Sequence, residues 1–360
     1  MTTTQDISQS ANAVVSSSLQ AAPEKGPAHT ITLIPGEGVG PKVISAAVRA
    51  VEATGVEVSW EKVSFDAASI ATCDVGLPPS LIEAIRKNRV TLKGPMTTAV
   101  PESLSCVNSA LRRRLGLFAN FRPIRSFPGP QTRSSGQGMD IALFQENAEG
   151  LYAGVGQLMA LGLLDDKDLI ARTISFRIAD VAFSFARREG KQRVTAIHKG
   201  YGREEQLFLE CCHKTAKSFR DLQYEELLAT EVAEHLRRRT HKFEVVVSPS
   251  HFGRSLADLC SFMVGGSGLL PYADLGETYA VFSAPEESSP KNAGRNFANP
   301  SGCIRAAALL LRHIGESEAA FKLERGVDSV YAGGKHLTSD LGGKATTAEF
   351  TEAVIGELDR

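Results

Sequence analysis

The stretch Thr30-Ile-Thr-Leu-Ile-Pro35-Gly36-Glu-Gly-Val-Gly40-Pro41, followed by residues 42–54, decides the fold class. Its first five residues alternate between polar and apolar, which is typical of a strand, and the glycines after Pro35 indicate tight turns. Residues 42–54 then carry apolar side chains at helical spacing. Strand and helix patterns alternate in this way to the C terminus without an internal repeat, which predicts an α/β fold.

The glycine loop does not match the dinucleotide-binding fingerprint. Its third glycine, Gly40, comes one residue too early, and Pro41 follows it directly. A glycine loop alone is weak evidence for phosphate binding, because glycines also serve tight turns. We therefore interpret the loop as turns that lead into a helix.

Composition and length exclude several classes of protein. The 360 residues suffice for two domains or one large α/β unit, and 22% charged with 42% hydrophobic residues is ordinary for a globular protein. The net charge of −1 indicates neither nucleic-acid nor membrane-surface binding, and no apolar run approaches the roughly 20 residues that span a bilayer. The six cysteines form no CxxC pair, which indicates a reducing compartment rather than disulfides or a zinc site.

Residues 1–29 predict a disordered N-terminal tail. The segment is rich in Ser, Thr, Ala and Gln, and it has neither a hydrophobic stretch nor an arginine. It carries two acids, Asp6 and Glu24, so it resembles neither a secretory signal nor an Arg-rich mitochondrial presequence. We expect a cytoplasmic protein, with the mitochondrial matrix as the alternative.

A second stretch, residues 245–259, bears on metal chemistry. An apolar run reaches a Ser-Pro-Ser turn, and a helical pattern follows in which Arg254 and Asp258 are four residues apart. Residues at this spacing share one face of a helix. A divalent-cation site on that face needs two acids, whereas the sequence offers one acid and one guanidinium.

Several short blocks occur in an order that is specific as a set. They are Gly36-Glu-Gly-Val-Gly-Pro41, Lys93-Gly-Pro95, Asn108-Ser-Ala-Leu-Arg112, Leu117-Phe-Ala-Asn-Phe-Arg-Pro123, Glu146-Asn-Ala-Glu-Gly-Leu-Tyr152, His198-Lys199, Phe252-Gly253, Gly265-Gly266, Gly294-Arg-Asn-Phe-Ala-Asn-Pro300 and Asp340-Leu-Gly-Gly343. From about residue 30 to 358 the chain resembles the β-decarboxylating dehydrogenases, the isocitrate and 3-isopropylmalate dehydrogenase family. Tyr279-Ala-Val-Phe282 and Thr346-Thr-Ala-Glu-Phe-Thr351 look most like the non-catalytic subunits of NAD-dependent isocitrate dehydrogenase.

The resemblance implies an isocitrate/isopropylmalate dehydrogenase-like α/β fold with two domains. Residues 30–125 and 275–360 would form a large domain that joins both termini. Residues 126–274 would form a small domain with the dimer contact. The cofactor NAD would bind loops in the region of residues 282–300.

The resemblance also implies a substrate site for a hydroxy di- or tricarboxylate. Its substrate-binding residues would be Arg112, Arg122, Asn108 and Gln145, where Gln145 stands in place of a third arginine. Arginine suits this task because its guanidinium binds a carboxylate through two hydrogen bonds. Tyr152 would be the catalytic acid, and Lys199, acting across a dimer interface, would be the catalytic base.

Cofactor-binding residues are retained only in part. By resemblance they would be Thr98, Asn147, Glu149 and Asn296. Two acids, Glu286 and Glu287, stand where the family carries a His-Gly pair near the adenine, and Lys291 stands in place of an acid that holds the ribose. Added acids near a pyrophosphate are unfavourable, so the sequence predicts a degraded NAD site.

The metal site implied by the family, for Mg²⁺ or Mn²⁺, uses three aspartates. Only Asp258 matches; Arg254 and Thr230 stand at the other two positions. At roughly 4 Å and an effective dielectric constant of about 20, a guanidinium repels a cation by several kcal/mol. We therefore predict an incomplete metal site.

Three interpretations follow. In the first, the protein is a regulatory-type isocitrate dehydrogenase subunit or paralogue, as a homodimer or a hetero-oligomer with a catalytic subunit. In the second, it is an active, divergent dehydrogenase of a 3-substituted malate in a specialised biosynthetic pathway. Cys106 favours the second, because isocitrate enzymes tend to carry Ser or Thr there. In the third, it binds a tricarboxylate without turnover.

Overall fold

The computed structural model describes residues 29–64, 77–96, 107–129, 138–147, 167–239, 242–285 and 297–359. The strands in these ranges are β1 (His29–Ile34), β2 (Val58–Lys62), β3 (Val90–Lys93), β4 (Ala119–Arg125), β5 (Asp140–Glu146), β6 (Arg193–His198), β7 (Gln223–Leu228), β8 (Val245–Ser248), β9 (Tyr272–Leu275) and β10 (Ala280–Ser283). The helices are α1 (Gly40–Glu52), α2 (Pro79–Asn88), α3 (Val107–Leu115), α4 (Lys167–Arg188), α5 (Arg203–Ser218), α6 (Val232–Arg239), α7 (Ser250–Val264), α8 (Ser301–His313), α9 (Ser317–Gly333) and α10 (Thr347–Ile355).

The ten strands of the described part form one sheet in the order β2-β1-β3-β10-β9-β4-β5-β8-β6-β7. The strands β2, β1, β3 and β10 are parallel to one another. The strands β5, β8, β6 and β7 are likewise mutually parallel. Between these two halves, β9 and β4 pair antiparallel with their neighbours on both sides, so the halves run in opposite directions. The predicted α/β class is confirmed, while the division into a large and a small domain stays a prediction.

Helices cover both faces of the sheet, as its predominantly apolar strands require. In the first half, α1, α8, α9 and α10 bury one face, and α2 with α3 bury the other. In the second half, α4 and α5 cover one face, and α6 with α7 cover the other. The middle strands β9, β4 and β5 join the two halves, and α7 packs on β4 and β5.

The glycine loop has a packing role. Gly36 adopts a positive φ of 80°, and a Cβ there would lie 2.2 Å from the carbonyl oxygen of Pro95. A Cβ on Gly94 would lie 2.2 Å from the carbonyl oxygen of Pro35. The loops after β1 and β3 thus approach each other more closely than any residue with a side chain permits. This supports the interpretation of the loop as turns that lead into a helix, here α1 with Pro41 in its first turn.

Sequence patterns missed three elements, two in the second half and one between the halves. The edge strand β7 carries mostly exposed side chains, and α6 has only a short apolar stripe. The strand β9 has four residues and directly follows Pro271. Short or polar elements give a weak periodic signal, because their formation depends on their neighbours in the fold.

None of the helices in the described ranges is long and apolar enough to cross a membrane.

A candidate acid-binding site

A row of buried polar side chains crosses the middle of the sheet. Asp274 of β9 pairs with Asn120 of β4, Asn120 with Gln145 of β5, and Gln145 with Ser248 of β8. All four residues are buried. Paired residues on neighbouring strands point to the same face. The row lies on the face that α7 covers, since Ile141 and Leu143 of β5 point there too.

Asp274 is the centre of this row. Its Oδ2 accepts a hydrogen bond from Arg112 Nε at 3.2 Å. Its Oδ1 accepts from Asn120 Nδ2 at 2.7 Å and from Asn147 Nδ2 at 2.9 Å. The Asp274 side chain is 4% exposed and that of Arg112 17%. The carboxylate is therefore paired with a cation and hydrogen-bonded through both oxygens, which a buried charge requires.

Arg122 is held next to this centre. Its Nε donates to Asn120 Oδ1 at 2.8 Å, and its guanidinium carbon lies 5.3 Å from the ring centroid of Tyr272. Burial lowers the pKa of Arg122, while Tyr272, Asp274 and Asp258 oppose that change and Arg112 adds to it. Arginine stays protonated under such conditions. The site therefore holds two neighbouring cations, Arg112 and Arg122.

Two asparagines at the site keep an unused acceptor. Asn108 lies one turn before Arg112 on α3, and Asn147 follows β5 directly. The Oδ1 atoms of both side chains are buried, and neither has a hydrogen-bond partner among the described residues. Buried polar atoms in native proteins are nearly always hydrogen-bonded. An unpartnered acceptor at each of two predicted site residues favours a ligand that donates hydrogen bonds.

Gly253 brings α7 against Gln145. A Cβ at Gly253 would lie 2.4 Å from Gln145 Cγ, so only a glycine permits this approach of helix and strand. Gln145 stands where the resemblance places an arginine, and at this position it is buried beneath α7. The site thus has one guanidinium fewer than the resemblance implies.

Arg254 and Asp258 lie on α7, and both are exposed. Thr230 is also exposed, and it follows β7 at the far edge of the sheet. In the described ranges, no group of three or more His, Cys, Asp or Glu side chains could hold a metal ion. The donor set around Asp258 does not fit Mg²⁺ or Mn²⁺, which prefer several oxygen ligands.

A second cluster lies at the carboxyl ends of β5 and β6. The Lys199 backbone N–H donates to Glu205 Oε2 at 3.0 Å, and Lys199 Nζ lies 5.4 Å from the Tyr201 ring centroid. Burial, with smaller contributions from Glu204 and Glu205, raises the pKa of Glu146 to about 7. The contacts of Lys199 are with this acidic cluster and Tyr201, whereas Arg112 and Arg122 meet at Asp274.

The structure thus brings Arg112, Arg122 and Asn147 together around Asp274, and it places Asn108 one turn from Arg112. Sequence reasoning missed Asp274, Asn120, Tyr272 and Glu146. The alternation of Asn120 with Arg122 in a strand was a usable signal, because it puts both side chains on one face. The predicted residues Tyr152, Thr98, Glu149 and Asn296 lie outside the described residues, as do Cys106, Glu286, Glu287 and Lys291.

Fold and site define an α/β protein in which two arginines, Arg112 and Arg122, lie beside a buried cluster of amides around Asp274. Residues 30–354 match the family model described as "Isocitrate/isopropylmalate dehydrogenase". The chain belongs to this family of oxidoreductases, which confirms the resemblance.

Relatives with different roles match the chain about equally well. Isocitrate dehydrogenase (NAD) catalytic subunit 5, mitochondrial, from Arabidopsis thaliana is 35% identical over 332 residues, 91% of this chain and 88% of the relative. A mitochondrial regulatory subunit of NAD isocitrate dehydrogenase from Dictyostelium discoideum is 33% identical over 331 residues, 91% of each chain. The crystal structure of isocitrate dehydrogenase from Methylococcus capsulatus has a TM-score of 0.82 and 35% identity, covering 92% of this chain and all of that one.

Proposed function

We propose that this chain is a regulatory-type isocitrate dehydrogenase subunit, or a paralogue of one. In this role it binds a hydroxy di- or tricarboxylate and does not complete metal-dependent turnover alone. The observation that carries the proposal is Arg254, which lies one helical turn from Asp258 on the exposed face of α7. A permanent cation at that place opposes a divalent metal ion.

Acid binding rests on the cluster around Asp274. Arg112 and Arg122 are held by a buried hydrogen-bond network, so their guanidinium groups are ordered before a ligand arrives. An ordered arginine loses little side-chain entropy on binding a carboxylate. Binding of an acid without chemistry is the property that a regulatory subunit needs.

The exposed face of α7 supports contact with a partner subunit. Phe262 is 74% exposed and Leu259 36%, and the two are three residues apart on the helix. Both lie on the same side of α7 as Asp258. Neighbouring exposed apolar side chains of this kind are typical of a surface that another chain covers. Because the relatives include catalytic and regulatory subunits, a catalytic subunit is the partner that we propose.

The relatives support a proposal for location and cofactor. Their names place them in mitochondria, which favours the matrix over the cytoplasm for this chain as well. Their names also make NAD the expected nucleotide. Of the predicted cofactor residues, only Asn147 is described. Fractionation of a tagged full-length chain tests the location.

A turnover assay tests the regulatory function. The isolated full-length chain, given NAD, Mg²⁺ and isocitrate, 3-isopropylmalate or malate in turn, is expected to form no NADH. Mixed with a catalytic isocitrate dehydrogenase subunit from the same organism, it is expected to change that subunit's rate. Robust NADH formation by the isolated chain would refute the regulatory proposal.

One observation favours the alternative, an active dehydrogenase of a 3-substituted malate. Gln145 is neutral, and Asp274 pairs with Arg112, so the pocket offers less positive charge than a tricarboxylate needs. If the isolated chain turns over such a malate, Tyr152→Phe and Lys199→Ala are each expected to abolish the rate. Arg113→Ala, on the exposed side of α3, serves as the control. An unchanged rate in both site variants contradicts this alternative.

A further inference from the structure

We propose that Asp274 is a specificity-determining residue that disfavours acids with three carboxylates relative to acids with two and selects for a hydroxyl group. The inference rests on the proposed acid-binding function of the same site. Asp274 acts as an internal carboxylate: it takes the place at Arg112 that a ligand's carboxylate would otherwise occupy. It also fixes the orientation of the amide groups that surround the ligand.

The charges at the site leave few cations for a ligand. The charged side chains that act on one another here are Arg112, Arg122, Asp274 and Asp258. Arg112 is paired with Asp274, and Asp258 lies one helical turn from the exposed Arg254. Arg122 is then the cation left to bind a ligand carboxylate, because Arg112 is already paired. Each carboxylate beyond the one that Arg122 binds would lie in the field of Asp274 without a cation of its own, so an acid with three carboxylates is disfavoured more than one with two.

Asp274 also fixes the orientation of the neighbouring amide groups. An ionised carboxylate only accepts hydrogen bonds, so Asn120 and Asn147 must both direct their NH₂ groups to Asp274 Oδ1. Their carbonyl oxygens therefore point elsewhere. That of Asn120 accepts from Arg122 Nε, which holds the guanidinium in place. That of Asn147 is buried without a partner among the described residues.

This arrangement favours a ligand group that donates hydrogen bonds. The unpartnered atoms of Asn108 and Asn147 are carbonyl oxygens. A hydroxyl can donate to such an oxygen, whereas a carboxylate cannot and is repelled by it. A hydroxy dicarboxylate therefore satisfies the pocket better than an acid with three carboxylates.

The test measures how tightly the full-length chain binds acids without NAD or metal. Isothermal titration calorimetry is used with malate and 3-isopropylmalate as hydroxy dicarboxylates and with citrate and tricarballylate as tricarboxylates. The unsubstituted protein is expected to bind the hydroxy dicarboxylates more tightly. In Asp274→Asn the ratio of dissociation constants is expected to move about tenfold toward the tricarboxylates, because a charge is removed and Asn147 can reverse its amide.

A matched control separates specificity from stability. Arg305 and Asp328 form another largely buried pair, with Nη2 and Oδ1 2.7 Å apart and side chains 7% and 25% exposed. Asp328→Asn is expected to lower the melting temperature and to leave the ratio unchanged. Three results would each overturn the inference. They are tighter binding of the tricarboxylates by the unsubstituted protein, no binding of any acid, and an unchanged ratio of dissociation constants in Asp274→Asn. If Asp274→Asn does not fold, the unsubstituted protein alone tests the inference, through its preference for hydroxy dicarboxylates over tricarboxylates. These results are independent of NADH formation, on which the regulatory proposal depends.

Discussion

Replacement of Glu146 by glutamine is expected to stabilise the protein at alkaline pH and to have little effect at acid pH. Glu146 ends β5, and burial together with Glu204 and Glu205 raises its pKa from the ordinary 4.5 to about 7. A group whose pKa is raised on folding binds its proton more tightly in the folded state. The folded protein therefore loses stability as the pH rises from about 4.5 to about 7.

The magnitude follows from the change in pKa. A difference of one in pKa corresponds to about 1.36 kcal/mol, so the whole change at Glu146 corresponds to about 3 kcal/mol. Glutamine keeps the shape of the protonated acid and cannot ionise. The free energy of unfolding of Glu146→Gln should therefore exceed that of the unsubstituted protein by up to about 3 kcal/mol at pH 8, and the two should nearly coincide at pH 4.5.

Urea unfolding followed by circular dichroism at several pH values measures this difference. Glu61→Gln is a matched control with the same change of charge. Hydrogen bonds from Asn88 and Lys87 lower the pKa of Glu61, so its carboxylate stabilises the fold at neutral pH and that contribution is lost as the pH falls. The control should therefore be less stable than the unsubstituted protein at pH 8. An equal effect of Glu146→Gln at both ends of the pH range would refute the reasoning.

Three further predictions concern α7 and α10. Arg254→Asp should create measurable Mn²⁺ binding beside Asp258 in calorimetry; no gain would count against Arg254 as the obstacle to a metal ion. Gly253→Ala should lower the melting temperature. Overpacking against Gln145 costs about 1–3 kcal/mol, whereas the better helix propensity of alanine returns only about 1 kcal/mol. An unchanged melting temperature would show that Gly253 and Gln145 are not in close contact. Thr346→Ala should cost about 1 kcal/mol in urea unfolding, because Thr346 caps α10 in a capping box; a cost near zero would show that the cap contributes little.

Much of the fold could be predicted from the sequence because its elements are long and periodic. The strand pattern that starts at Thr30 lies within β1, and the helical pattern of residues 42–54 overlaps most of α1. Strand β7 could not be predicted, because its side chains are mostly exposed and its pairing with β6 supplies the order that its sequence lacks.

The candidate site could be predicted in part. Arg112 and Arg122 were found because their residue type suits a carboxylate and their blocks resemble a family. Asp274 was missed because a negatively charged side chain is unexpected in a site for a negatively charged ligand. In addition, only the pairing of β9 with β4 brings Asp274 next to Asn120. A contact that depends on two strands distant in sequence leaves no local pattern in either of them.

The pairing of β3 with β10 has a consequence for synthesis in the cell. Residues Val90 and Ala280 are partners in neighbouring strands although they lie far apart along the chain. The core that α1 shares with α8 and α10 likewise needs the C-terminal part of the protein. At about 5–20 residues per second, the ribosome needs roughly 10–40 s after completing β3 to supply its partner strand. Throughout that interval the first three strands expose an unpaired edge and an apolar face, so a chaperone that binds nascent chains should associate with this segment and leave once α10 has emerged.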